Sequence, residues 1–324
     1  MIAYHILCHA NFSQISRQLE ALYATEDVFL IDIDDGKPVD LSPIKQWLTK
    51  SNVHIKRDSN IAWGGAGTLR KTINGVFSLL DLDKSWNYYV VLSGQCLPIK
   101  SNELIKSRLA QLNKTQTSSI RGRVVPTVDV EELRILNDSE RVKPWGDRGH
   151  TKLFSLPQTI DPQCQMAARW RTEIVELGHQ SNVFLRPCNN LLMRRREEFF
   201  SEYQFCVGAN WFNLHRSLLE YMREDRFTYE LYEVLSTTLI PDESFFQTYI
   251  YNSQFREKID KNHNRLIMRP EHHLGVRAFT MSDWKSIAGS EALYARKFDT
   301  NVDSDIIDKV LLQRLEADQM KKAG

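Results

Sequence analysis

Residues 88–100 read Tyr88-Tyr89-Val90-Val91-Leu92-Ser93-Gly94-Gln95-Cys96-Leu97-Pro98-Ile99-Lys100. The first five are aromatic or aliphatic with no polar alternation, the pattern of a strand covered on both faces. Ser93-Gly94-Gln95 then breaks the run, which makes this the central strand of a sheet. Ser101 follows as a cap for a helix with Leu104, Ile105, Leu109 and Leu112 on one face.

Working outward, Ala3 to Cys8 reads as a first strand. Asn11 and Gln14 form a capping box for a helix with Ile15, Leu19 and Leu22 on one side, ending near Tyr23. Val28 to Ile31 is a second strand, running into an acidic turn, Asp32-Ile33-Asp34-Asp35-Gly36. Ser42-Pro43 has the cap and N1 proline of a helix start, and Val53 to Ile55 reads as a third strand. Trp63-Gly64-Gly65-Ala66-Gly67 opens a helix whose Leu69, Ile73, Val76, Phe77 and Leu80 make an apolar stripe. Alternating strands and helices predict an α/β fold with a mostly parallel central sheet flanked by helices. In such sheets ligands bind beyond the carboxyl ends of the strands, which makes the acidic turn a candidate site. The glycine loop fits neither the dinucleotide fingerprint nor the P-loop, and a tight turn explains it.

The chain has 324 residues, 42% of them hydrophobic, enough for a sizeable core. Its 42 basic residues balance 41 acidic ones, so no global field points to nucleic acid. Five cysteines, Cys8, Cys96, Cys164, Cys188 and Cys206, are widely spaced and include no Cys-x-x-Cys, which argues for a reducing compartment. No segment reaches the roughly 18–20 apolar residues of a membrane span, and the N-terminus lacks a charged leader. The expectation is a cytoplasmic chain without a transmembrane segment, in which the sequons at Asn113 and Asn137 carry no meaning.

The second half is less regular. Arg121 to Leu153 is charged and broken by Pro126, Pro144 and Gly146, and is expected to be a mobile loop. Arg194-Arg195-Arg196 reads as a solvated face, with attraction of an anionic acceptor as the alternative. Asn210-Trp211-Phe212-Asn213-Leu214 leads into a helix with Leu218, Leu219 and Met222. In Pro241-Asp242-Glu243-Ser244-Phe245-Phe246-Gln247, Asp242 is placed as an N-cap and Glu243 in the first helical turn, where the helix dipole favours an ionised carboxylate. First-turn acids are common for that reason alone, so the pattern is compatible with a general base and with a plain helix start. Asp299 to Asp303 opens like a calcium loop, but Ser304 and Val310 stand where glycine and glutamate are required, which favours helix capping. His272 and His273 lack a further ligand cluster and read as solvated. Trp211 and Phe212 suit either core packing or stacking on a sugar.

Taken together these blocks resemble the core-2/I-branching β-1,6-N-acetylglucosaminyltransferase family, which includes peptide xylosyltransferases. The resemblance is carried by Val28 to Asp34, Trp63-Gly64-Gly65, Leu92 to Lys100, Asn210-Trp211-Phe212, Pro241-Asp242-Glu243 and Ala295-Arg296-Lys297-Phe298-Asp299. It implies a single domain of glycosyltransferase-A-type fold, with a nucleotide-sugar half at 1–120 and an acceptor and catalytic half at 121–324. It also implies inverting transfer from a UDP-sugar to a glycan or lipid-linked saccharide in polysaccharide assembly, with no divalent metal. By position, Glu243 matches the family's general base, Arg277 and Lys297 its cations on the diphosphate, and Asp34 its uridine-binding acid. The donor expected first is UDP-N-acetylglucosamine. UDP-xylose, UDP-glucose, or a non-catalytic binding role are the alternatives. The Asp32-x-Asp34 pair is discounted as a metal motif, because in this fold that motif follows the central strand, which here ends without a carboxylate.

Overall fold

The computed structural model describes residues 1–34, 36, 38–58, 61, 64–82, 85–125, 185–238, 240–269 and 276–322. Trp63, Asp35, Asn137, Cys164, His272, His273 and the segment 126–153 lie outside the described residues.

The apolar runs form strands β1 (Ile2–Cys8), β2 (Val28–Asp34), β3 (Val53–Asp58) and β4 (Tyr88–Ser93), all mutually parallel in the order β4-β1-β2-β3. The register sets Ile6 between Ile31 and Leu92, so β1, β2 and β4 end together. The remaining strands are β5 (Cys96–Pro98), β6 (Ser118–Ser119), β7 (Gly122–Val124), β8 (Cys206–Gly208), β9 (Asn213–His215), β10 (Ile259–Asp260), β11 (Arg265–Ile267) and β12 (Tyr294–Arg296). β9 adds antiparallel to β4, and β6 and β10 complete a seven-stranded sheet, β10-β6-β9-β4-β1-β2-β3. A second sheet, β11-β12-β5, stands beyond the end of β4, and β7 pairs with β8. The fold is therefore α/β with a mostly parallel sheet flanked by helices, as the sequence predicts.

Both faces of β4 are buried because helices cover both. Tyr88, Val90 and Leu92 meet the stripe of α1 (Phe12–Leu22) through Ile15 and Leu19, and that of α3 (Asn102–Asn113) through Ile105 and Leu109. Tyr89 and Val91 face α2 (Gly67–Asp81), with Leu69, Val76 and Leu79. The following helices are α4 (Leu185–Glu202), α5 (Arg216–Glu224), α6 (Arg226–Leu235), α7 (Phe245–Tyr251), α8 (Trp284–Ala288) and α9 (Ser304–Lys322). Phe245, Phe246, Tyr249 and Ile250 of α7 extend the α2-side core. The small sheet has a core of its own, in which Leu97 and Ala295 pack on Phe279, Phe298, Ile306, Ile307 and Val310. Among the described residues no helix is long and apolar enough to cross a membrane.

Several local expectations change. Asp32 and Asp34 are strand residues, because backbone pairing with β3 continues to Asp34↔Asp58. Ser42–Ile44 is one 3-10 turn whose N-cap is Leu41. The strand β9 precedes the helix after Trp211, set by its pairing with β4, which local pattern does not reveal. Leu104 is 43% exposed, outside the α3 stripe. In the basic run Arg196 is buried and donates to the Thr237 backbone and hydroxyl, while Arg194 and Arg195 are exposed. Asp303 caps α9 by accepting from Ile306 N–H at 3.1 Å, as the capping reading predicts.

Candidate functional site

The two acids of β2 share one face of the sheet and have different surroundings. Asp32 is fully buried, with His5 Nε2 3.2 Å from Oδ2 and Lys71 Nζ 3.2 Å from Oδ1. Burial opposes its ionisation, but the hydrogen bond from His5 and the charge of Lys71 outweigh that and hold its carboxyl below the usual range. Burial lowers the pKa of His5, so the ring is neutral, donating from Nε2 to Asp32 and accepting at Nδ1 from Tyr89 Oη at 2.7 Å. Gly75 of α2 makes room for this ring, since a Cβ there would stand 2.1 Å from the imidazole. Asp34, at the strand's carboxyl end, is half-buried and, among the described residues, accepts from Gly36 N–H at 3.4 Å.

The turn after β4 is tied to the loop after β12. Gln95 O accepts from Phe298 N–H at 2.9 Å, and Gln95 Nε2 donates to Asp299 at 3.3 Å. Gln14 clamps both loops, donating to Gly94 O at 2.9 Å and Phe298 O at 3.0 Å and accepting from Thr300 N–H at 3.1 Å. Gly94 lets the turn approach this closely, since a Cβ would lie 3.2–3.3 Å from Ile15 and Cys8. The first turn of α1, read from sequence as a capping box, thus also fixes the backbone around Lys297.

Lys297 O accepts from Phe279 N–H at 2.7 Å, which sets the Arg277 segment beside it. The Arg277 guanidinium forms a fork with Asp283, both bonds 2.6 Å long, and also donates to Ala278 O. This hydrogen bonding holds the Asp283 carboxyl below its usual range and raises the Arg277 pKa. Arg277 therefore carries its charge already paired, whereas Lys297 forms no ion pair among the described residues.

Glu243 ends a 3-10 turn, Pro241–Glu243, that precedes α7. The cap of that turn is Ile240 and the cap of α7 is Ser244, so the expected roles of Asp242 as N-cap and of Glu243 in the first α-helical turn are corrected. Asp242 instead accepts from Asn210 Nδ2 at 3.1 Å, tying the turn to the residue before Trp211. Ile240 has φ 52° and donates its N–H to Gly64 O at 2.8 Å, and Gly64 itself has φ 77°. The glycine loop of the sequence thus meets the Pro-Asp-Glu turn through one hydrogen bond between two left-handed residues.

Arg296 is the site residue that sequence reasoning missed. Its guanidinium carbon lies 3.9 Å from the centroid of the half-buried Trp211 ring, a close cation–π contact. Burial lowers its pKa, against Cys96 and Glu243, which are near enough to favour its charge. Its Nε is buried and makes no hydrogen bond among the described residues. The signal was available in β12, where Ala295 packs into the small-sheet core and Arg296 must face the other way. Trp211, Glu243, Arg296 and the Lys297 backbone form one group, with Arg277 on the adjoining segment. Asp34 stands at the same sheet edge across β1, and no described hydrogen bond or ion pair joins it to that group.

The family profile of the Core-2/I-Branching enzyme matches residues 2–124 and 157–303. Xylosyltransferase 2 of Rattus norvegicus is 24% identical over 332 residues, covering 95% of this chain and 33% of that protein. A β-1,3-galactosyl-O-glycosyl-glycoprotein β-1,6-N-acetylglucosaminyltransferase 4 of Danio rerio is 29% identical over 115 residues, covering 35% of this chain and 27% of that one. The crystal structure of mouse xyloside xylosyltransferase 1 superposes with a TM-score of 0.37 at 8% identity, covering 91% of this chain and 97% of that one. The chain thus spans about a third of the length of the curated xylosyltransferases it matches over nearly its whole extent. With both blocks of the profile covering the sheet, the Pro-Asp-Glu turn and the Ala-Arg-Lys-Phe-Asp strand, the chain belongs to the Core-2/I-Branching enzyme family.

Proposed function

We propose that this chain is an inverting glycosyltransferase that moves a sugar from a UDP-sugar to a hydroxyl of a glycan acceptor. The observation that carries the reading is the group Glu243–Arg296–Trp211 at the carboxyl edge of the sheet. Attack of a hydroxyl on an anomeric carbon needs one base on the acceptor side and positive charge on the departing diphosphate. In this reading Glu243 takes the hydroxyl proton. Arg296 places its positive charge beside that carboxylate, and its stacking on Trp211 fixes its position. Lys297 meets the diphosphate as a point charge and Asp34 accepts from the uridine. Arg277 joins Lys297 on the diphosphate in the same reading. Its fork to Asp283 orients the guanidinium, and the paired carboxylate opposes its charge, so Lys297 carries the larger share.

Divalent metal is not part of the proposed mechanism. Of the Asp-x-Asp pair, Asp32 is already spent on His5 and Lys71, so Asp34 alone of the two faces the edge. Activity is expected to survive excess EDTA. Loss on chelation, with recovery on Mn²⁺, would overturn this part.

Transfer of N-acetylglucosamine and of xylose are both retained as donor specificities, because relatives named for each match the chain. A panel of UDP-sugars, scored by thermal shift and by UDP release with and without glycan acceptors, tests the reading. A thermal shift with no turnover on any acceptor would favour a non-catalytic sugar-nucleotide binder. No shift with any UDP-sugar would end the donor assignment. A cytoplasmic placement, with glycan or lipid-linked saccharide as acceptor, belongs to the same proposal.

A further inference from the structure

Arg265 of β11 is a second guanidinium on the face of the small sheet that carries Arg296. The parallel register pairs Arg265 with Tyr294 and Ile267 with Arg296, so the two arginines lie two strand positions apart on adjacent strands. Arg265 is 5% exposed. Its Nη1 donates to Asn213 Oδ1 and His263 O, both at 2.6 Å, and its Nη2 to Val91 O at 3.0 Å and Phe212 O at 3.1 Å. The Tyr294 ring centroid lies 4.9 Å from its guanidinium carbon. Every one of these partners is neutral, and among the described residues no aspartate or glutamate pairs with it. Burial lowers its pKa only to about 10, so the charge persists at neutral pH.

A buried cation without a counter-charge is costly, and carbonyl dipoles solvate it without cancelling it. The remedy would be a single atom. Asn213 is fully buried and its Nδ2 has no hydrogen-bond partner among the described residues. An aspartate of the same shape would remove that orphaned donor and put a carboxylate against the guanidinium. If Arg265 served only to clamp β4, β9 and β11 together, the carboxylate would serve that purpose better. The chain carries the amide.

We propose that Arg265 is kept unneutralised so that its positive charge adds to that of Lys297 and Arg277 at the donor site, favouring the diphosphate through the field rather than by contact. The location suits this. Val91 lies two residues before Ser93 at the carboxyl end of β4, and Phe212 adjoins Trp211, so the charge lies directly behind the proposed donor edge. A buried charge is also screened far less by salt than a surface lysine. The inference rests on the donor reading given above.

The test is Asn213→Asp on the full chain, with melting temperature and calorimetric affinity measured for UDP and for uridine. The variant is expected to melt higher, to bind UDP at least roughly tenfold more weakly, the effect on a single unit charge about 10 Å away at an effective dielectric of about 20, and to bind uridine as before. A higher melting temperature with unchanged UDP affinity would reduce Arg265 to a clamp and overturn the proposal. A lower melting temperature, or failure to fold, would overturn its premise of an uncompensated charge. Equal losses for uridine and UDP would point to a local rearrangement and overturn it as well. Wild-type protein that binds no UDP would end the donor reading and this proposal together, whereas wild-type binding matched by the variant ends this proposal alone.

Discussion

Asp32 and Glu243 are both acids beside a basic side chain, and the molecule treats them in opposite ways. Asp32 is sealed between β1, β2 and α2, with Lys71 on one oxygen and the neutral His5 on the other. Glu243 is half-buried in a 3-10 turn, and its cation is shared with the face of an indole. The first arrangement fixes where a helix lies on a sheet. The second leaves a half-buried carboxylate at a sheet edge, where the proposed function places the acceptor. Proximity of an acid to a base therefore does not by itself separate folding from the proposed chemistry; the two acids differ in how far the surrounding shell closes over them.

The sharpest test of that contrast is Glu243→Gln, which keeps the shape and removes the basicity. A fall in kcat of at least a hundredfold, within the roughly 10²–10⁴ range of general base catalysis, is expected with nearly unchanged melting temperature and donor affinity. Near-wild-type turnover on a competent acceptor would remove Glu243 from the mechanism.

The mirror experiment is Asp32→Asn, which strips the counter-charge from Lys71. It is expected to cost about 3–5 kcal/mol of stability, the range for breaking a buried ion pair, and so to lower the urea midpoint strongly at neutral pH. The acid limb supplies a second readout. His5, lowered by burial, stays neutral in the fold, so stability falls as pH drops below about 6.5, where the unfolded ring takes up a proton. Asp32, depressed in the fold, contributes stability that is complete above about pH 4 and is lost as pH falls through its folded pKa. Asp32→Asn should abolish the second loss. An unchanged acid limb would assign that loss to other carboxylates.

The sequence made the architecture legible where one strand and one helix explain each other. β4, β1 and β2 announce themselves as doubly buried runs, and the stripes of α1 and α2 show which helices cover them. It failed where structure is made by distant pairing. Three-residue strands such as β9 and β12 carry no period of their own and exist because β4 and β5 offer edges. The same limit applies to the site. Glu243 and Lys297 could be nominated by resemblance, but the closeness of Arg296 to both Trp211 and Glu243 depends on which face of a three-residue strand points outward. The commitment of Arg277 to Asp283 was equally hidden. A six-residue separation outside a helix implies no contact until the 3-10 turn at Met281–Asp283 brings the carboxylate round.

The smallest expected effect concerns the backbone beneath Glu243. Ile240, β-branched and at φ 52°, occupies a region that costs an L-residue with a Cβ about 1–2 kcal/mol, and it does so immediately before Pro241-Asp242-Glu243. Such a conformation persists when neighbours over-determine it, and here the Gly64 carbonyl holds the Ile240 N–H at 2.8 Å while Asn210 holds Asp242. Ile240→Gly removes the steric cost and adds roughly 0.5–1 kcal/mol of chain entropy on the unfolded side. The net change should be a gain of no more than about 1 kcal/mol, a rise of a few degrees at most in Tm for a chain of this size. The contrast with Asp32 predicts where the penalty appears instead. A turn with a freer hinge presents Glu243 less consistently, so kcat should fall several-fold while UDP affinity, set across the sheet edge, stays put. A gain in stability with turnover unchanged would show that the left-handed residue serves only to let the chain pass Gly64. A clear loss of stability would show that the isoleucine side chain contributes more by packing than its backbone costs.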